Sequence, residues 1–432
     1  MRSDMTEDPS AVGGSPGGAP GAIPAAPVGG GGAIRDAGLG RVATLLLVSS
    51  LTIMASTVIS PGLPGMEAAL AGDDPRAALM IRLALSLPGL FVALCAPLVG
   101  WVADRRGRRV IMLAGIVLYA LAGTSGLWVE GLEALLIGRA FLGASVAMLM
   151  TAASAMAGDL FTGPTREKFL GLQSSSMGLA GLVFLTCGGM LAETGWRAPF
   201  AIYGAALAIL PAALILLPET LRRAAPAVSA GPTAAPAGPE ARAIGPGVAL
   251  LVFIALANSV LFYFLPVQLP FLLRHIGVAG PGDAGLALGV FTLMSSAASL
   301  LCARIRRRVS AGGVFGLAFA VMALGFVVIA MAERMDGGLM QVGLGAALSG
   351  LGVGLVMPTL FNTAIGLAPV AQRGRVAGMT TAGVFLGQFL SPMVSQPGAD
   401  AWGYPGAFLG GAVLLLAMAA VGLGARRLLA GG

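Results

Sequence analysis

The sequence predicts an all-α membrane protein of twelve transmembrane helices in two pseudo-symmetric six-helix bundles. Three observations carry that expectation. Of the 432 residues 57% are hydrophobic and only 10% charged, whereas an ordinary soluble domain has about 25% charged residues to coat its surface. Uncharged runs of about 20 residues recur along the chain, the length that crosses about 30 Å of hydrocarbon. A proline-rich stretch divides the runs six and six, and positions on either side of it match at an offset of about 206–208: Leu63-Pro64 with Leu269-Pro270, Gly143 with Gly350, Arg166 and Gly171 with Arg373 and Gly378, Phe200 with Phe408. A membrane β-barrel would show short alternating segments instead, and none dominate.

Taken in order, residues 1–40 read as a disordered tail, rich in proline (Pro9, Pro16, Pro20, Pro24, Pro27) and glycine (Gly29 to Gly32), without the basic start and apolar centre of a signal peptide. The first bundle is expected over 41–218, with spans at 41–61, 79–103, 110–128, 134–158, 169–191 and 198–218. Span one carries Ser49, Ser50, Thr52, Ser56 and Thr57, and span five carries Gln173 and Ser174 to Ser176. Such groups are costly against lipid and face a bundle interior or a wet cavity. Span six has only Tyr203 as a polar side chain and can face lipid. Residues 219–247 hold Pro226, Pro232, Pro236, Pro239 and Pro246, too many for a helix, and form a linker. The second bundle, 248–425, has spans at 248–270, 284–303, 311–331, 338–362, 374–396 and 403–425, followed by a short tail at 426–432. Spans seven, ten and eleven carry Asn258 and Gln268, Asn362, and Gln388 and Ser391; spans nine and twelve have no Ser, Thr, Asn or Gln and can face lipid. Pro61, Pro266, Pro270, Pro358 and Pro392 mark bending points in the polar helices.

Charge orients the bundle. Twenty Lys and Arg lie in the tail, the even-numbered connections, the linker and the C-terminus, against five (Arg76, Arg82, Arg197, Arg274, Arg334) in the odd-numbered connections. By the positive-inside rule both termini are cytoplasmic, which for a bacterial chain means the inner membrane. The formal charge of +7 is thereby a topology signal, and no nucleic-acid partner is expected. Cys95, Cys187 and Cys302 have no paired or metal-type spacing, so no metal or other cofactor is expected. No G-x-x-x-x-G-K-[S/T] loop or soluble domain is present to drive an ATP engine. An intramembrane enzyme would need convergent acids, nucleophiles or metal ligands, and the chain has one histidine, His275.

Between spans two and three stands Gly100-Trp101-Val102-Ala103-Asp104-Arg105-Arg106-Gly107-Arg108-Arg109. This resembles the G-x-x-x-D-R-x-G-R-R loop of the major facilitator superfamily, and a positive-inside turn alone would not require Asp104 with Gly100 and Gly107 at fixed spacing. Leu136 to Gly143, Gly188-Gly189 through Phe200, and Leu217-Pro218-Glu219-Thr220 resemble the family as well, so the likeness covers nearly all of 41–425. It implies a secondary active transporter that moves a small organic solute by alternating access, export being preferred, with proton-coupled uptake and a transporter-like sensor or scaffold as alternatives. Protons are the candidate coupling ion and the bilayer is the solvent.

The resemblance also implies a cytoplasmic gate of Gly100, Asp104, Arg105, Gly107, Arg108, Arg109 and Asp159, in which Asp104 meets the start of span eleven near Gly374 and Arg108 pairs with Asp159. The second half, Ala303-Arg304-Ile305-Arg306-Arg307-Arg308, lacks the acid and the glycine. In span five Phe184-Leu185-Thr186-Cys187-Gly188-Gly189 stands where drug/proton antiporters carry Gly-Pro-x-x-Gly-Gly, which leaves antiport open.

Five residues are candidates for the transport path: Arg139, Glu67, Asn258, Asn362 and Gln388. An arginine inside an apolar span costs about 2.5–3.5 kcal/mol at helix centre. Either Arg139 snorkels to the outer surface, or it faces the cavity, makes it net positive and favours anionic or neutral solutes. Glu67 is its candidate partner and proton carrier, although Arg82 can claim that carboxylate instead. The three amides either face the solute or form interhelical hydrogen bonds.

Overall fold

The computed structural model describes residues 38–72, 74, 76–161, 163–219, 245–278, 280–335, 337–369 and 372–429. Most of the expected tail and of the expected linker lie outside these residues. Among the described residues the chain is helical without strands, and eleven helices are long and apolar enough to cross a bilayer. The last, Arg373–Gly424, has 52 residues, about twice what one crossing needs at 1.5 Å per residue. It breaks at Gly403, whose φ of 69° and ψ of 172° are not helical. The two pieces are spans eleven and twelve.

Spans one to six run Leu39–Leu70, Ala77–Arg106, Arg108–Leu127, Leu132–Leu160, Lys168–Thr194 and Ala198–Leu216; spans seven to ten run Pro246–His275, Pro281–Arg306, Ala311–Ala330 and Gly338–Leu367. Most exceed the 20-residue windows that hydropathy picks out, because polar helix ends project beyond the hydrocarbon. Span one turns through a short 3-10 stretch, Ser60–Gly62, opened by Pro61, so Glu67 sits on a helix and not in a loop. Span two likewise carries Asp104 to Arg106 on its last turn.

Buried side chains fall into two clusters, one drawn almost wholly from spans one to six and the other from spans seven to twelve. The pseudo-symmetry of the bundles is visible in their contacts. A methyl group at Gly143 of span four would collide with Pro88 O of span two, and one at Gly350 of span ten with Phe291 O of span eight. The matched glycines thus permit the same close crossing in each half. Outward-facing Leu98, Ile137, Phe141, Ile215, Leu324 and Val413 are all more than half exposed, as suits lipid solvent. Span nine is apolar for a second reason: Phe315, Phe319, Met322 and Phe326 are fully buried on its inner face, while Leu317 and Leu324 point out.

Candidate functional site

The arginine-rich loop is held from within its own bundle. Gly107 adopts φ 99°, a left-handed value that favours glycine, and the Glu219 carboxylate at the end of span six sits where a Cβ would be. Arg109 N–H donates to Glu219 Oε1 at 3.4 Å, and its guanidinium to Leu214 O. Arg108 pairs with Asp159 and donates to Ala155 O at 2.8 Å. Arg105 lies 3.7 Å over the Trp101 ring. Gly100 faces span four loosely, a Cβ there meeting only Thr151 Cγ2 at 4.0 Å. In the second bundle Arg306 donates to Thr359 O at 3.3 Å and Thr363 Oγ1 at 2.9 Å, so it braces span ten much as Arg108 braces span four.

The expected approach of Asp104 to Gly374 is not made. Asp104 is exposed and has no hydrogen bond or ion pair among the described residues, and Gly374 and Gly378 have open space beside them. The two bundles stand apart at this end, which removes the helix start that would receive the carboxylate.

At the opposite end they meet. Arg82 is buried to 1% exposure; it donates to Glu67 Oε2 at 3.2 Å and Ala78 O at 2.8 Å within its own bundle. Across the interface its guanidinium lies 3.8 Å over the Phe271 ring and 3.4 Å from Tyr404 Oη, and Tyr404 stacks on Phe271. Arg274 donates to Pro64 O at 2.9 Å, and Ser60 donates to Pro266 O. Between the two ends spans five and eight touch along small residues. Side chains at Gly178, Gly285 or Gly289 would strike Ser296, Leu185 O or Leu182 respectively. Gly188 and Gly189 sit against Val58 O of span one and Pro281 O of span eight, so the surviving glycines of that element mediate close packing.

Arg139 corrects the sequence reading. It is fully buried inside the first bundle and neither snorkels nor reaches Glu67, which belongs to Arg82. Arg139 donates to Tyr203 Oη at 3.1 Å and Gly123 O at 3.2 Å and lies 4.7 Å over Phe200. Tyr203 in turn donates to Ala55 O of span one. The guanidinium ties spans three, four and six together, with the aromatic faces replacing lost hydration.

A cavity of about 250 Å³ lies near mid-membrane between spans one and five of the first bundle and seven, eight and ten of the second. Ile53, Met177, Phe262, Val353, Met357 and Pro358 form its apolar wall. Its polar wall is Ser174, Thr292, Ser295, Ser296 and Ser299. None of the five residues expected on the path lines it. Asn258 is fully buried with neither amide atom hydrogen-bonded, Asn362 is exposed beyond it towards the arginine-rich end, and Gln388 packs against span two at Gly89. The hydroxyls of span eight were the missed signal: positions 292, 295, 296 and 299 share one helix face. Among the described residues no cluster of His, Cys, Asp or Glu could hold a metal ion.

Comparison with known proteins gives one consistent result. A sequence model described as Major Facilitator Superfamily matches residues 45–392. Multidrug transporter protein MdtP of Bacillus subtilis (strain 168) is 31% identical over 107 residues, 24% of this chain and 20% of that protein. The class C tetracycline resistance protein of Escherichia coli is 29% identical over 169 residues, 37% of this chain and 40% of that protein. The chain thus matches less than half the length of these relatives. A crystal structure of a D-xylose-proton symporter superimposes with a TM-score of 0.69 at 15% identity, covering 87% of this chain and 97% of that one.

Proposed function

Because this chain belongs to the major facilitator superfamily, and is therefore a multi-pass membrane transporter and not an enzyme, we propose that it exports a small organic solute by alternating access. The observation that carries the reading is the asymmetric contact of the two bundles. They are clamped at the Arg82 end, apart at the Asp104 end, and leave between them a cavity whose described lining carries no charge and that no single bundle encloses. The arginine-rich end is cytoplasmic by the charge count, so this conformation opens the cavity to the cytoplasm, the state in which an exporter loads. Resistance and multidrug names among the relatives support export.

In this reading Asp104 is a spare half of a gate. When the Arg82 clamp opens, spans two and eleven approach at the cytoplasmic end and Asp104 gains the helix start it lacks here. Arg108, Arg109, Asp159 and Glu219 keep the loop rigid in both states. The bundles expected at 41–218 and 248–425 are joined by the 219–247 stretch, whose last two residues, Pro246 and Gly247, already belong to the helix of span seven.

The test is solute flux in vesicles containing the purified protein, with and without an imposed pH gradient. Export predicts accumulation on the side opposite the arginine-rich face, and a proton-coupled exporter accelerates when that gradient is imposed. Flux only towards the arginine-rich face would refute the direction.

A further inference from the structure

Resting on the reading of the mid-membrane cavity as the solute path, we infer that the solute is uncharged while bound. It presents hydrogen-bonding oxygens or nitrogens along one edge to span eight, and an apolar body to Met177, Met357 and Phe262. Among the described residues no Asp, Glu, Lys, Arg or His lines the cavity. The two fully buried arginines are committed elsewhere, Arg139 to Tyr203 and Gly123 O, Arg82 to Glu67 and Phe271. An ion brought into such surroundings without a counter-charge would lose hydration that nothing replaces.

The hydroxyls are arranged for a neutral ligand. Thr292 donates to Gly289 O at 2.8 Å and Ser174 to Leu170 O at 3.0 Å, so each turns lone pairs towards the cavity and accepts only. Ser295, Ser296 and Ser299 have no hydrogen-bond partner among the described residues and are half-buried, so each can both donate and accept. Ser296 is held against Gly178 of span five, where any larger residue would collide with its hydroxyl. A solute bonded to it therefore touches the contact between bundles. The two methionines opposite are flexible and polarizable, suited to apolar bodies of varied outline.

The experiment uses the full chain in liposomes, with Cys95, Cys187 and Cys302 replaced by alanine and Ser299→Cys introduced. Its modification is followed with N-ethylmaleimide, which alkylates it, and with a matched cationic and anionic methanethiosulfonate pair, which form mixed disulfides and release methanesulfinate, each rate normalised to 2-mercaptoethanol. The expected cationic-to-anionic ratio is within about threefold of unity, and Ser296→Asp in the same background raises it at least tenfold, since one carboxylate then dominates the local field. A ratio beyond tenfold in either direction without Ser296→Asp, or ethidium flux through the unsubstituted chain, overturns the inference and leaves the path reading standing. Failure of all three reagents to reach Ser299→Cys overturns the path reading and the inference with it.

Discussion

Replacing Arg82 by methionine should shift the protein towards the conformation open at the opposite end. Within the first bundle Arg82 holds Glu67 and Ala78 O, contacts internal to that bundle that a rigid-body rocking leaves in place. Only the contacts across the interface distinguish the states. The guanidinium 3.8 Å from the Phe271 centroid is desolvated, and such a contact stabilises by about 1–2 kcal/mol. The 3.4 Å approach to Tyr404 Oη is long and adds about 0.5 kcal/mol. Together they amount to about 1.5–2.5 kcal/mol, roughly a 10- to 60-fold change in the equilibrium at 1.4 kcal/mol per decade. The assay is the distance between nitroxides placed at Gly171 and Gly378, matched positions in spans five and eleven with open space around both. Arg82→Met should convert the long-distance population largely to a shorter one, and Phe271→Leu should do so to a smaller degree. Glu67→Gln leaves both cross-interface contacts in place and should change little. Populations that stay within about threefold of the unsubstituted protein in Arg82→Met would refute the clamp.

Four further outcomes are expected. Asp104→Asn should nearly abolish transport with normal membrane insertion, since in the proposed cycle it removes the charge that would close the arginine-rich end; normal turnover would take the residue out of the mechanism. Gly107→Ala should lower the thermal unfolding midpoint in detergent, because a side chain there both strains φ 99° and displaces Glu219, a loss of about 1–3 kcal/mol. Arg139→Ala should reduce stability by about 3 kcal/mol through two lost charged hydrogen bonds, with solute selectivity unaltered in the protein that folds; altered selectivity would return Arg139 to the path. Asn258→Leu should leave stability unchanged or raise it by about 1 kcal/mol, since neither amide atom has a partner to lose, and a large loss would point to an unseen water or solute.

The long apolar runs and the loop at 100–109 were legible because hydropathy and spacing are local properties. Gly403 hid the boundary between spans eleven and twelve only from helix assignment, since the sequence already separates two apolar runs there. Partnerships were less legible. Arg139 was placed on the path because an arginine in an apolar span demands compensation, yet its compensators, Tyr203 and the Phe200 face, are more than 60 positions away and look like ordinary lipid-facing aromatics. Glu67 could be assigned to Arg82 or Arg139 on sequence, and helix phase decides for Arg82. Asn362 and Asn258 share a residue type but lie at the open end and in the closed core, a difference of depth and rotation that composition does not carry. Serines at 295, 296 and 299 were overlooked beside amides and charges, although their spacing places them on one face.

The braces at the arginine-rich end bear on how a duplicated unit diverges. Span four and span ten both end there, and each receives an arginine from the neighbouring connection on a carbonyl of its last turns. Arg108 reaches Ala155 O of span four from the start of span three and Arg306 reaches Thr359 O of span ten from the end of span eight, with Asp159 as second partner in one half and Thr363 in the other. What the two halves share is thus a guanidinium seated on a backbone carbonyl of the matching helix, supplied from opposite sides of the connection and with a charged second partner in one half and a neutral one in the other. Added salt should therefore loosen the first bundle's brace more than the second's, and ionic strength would act on one half of a nominally symmetric machine.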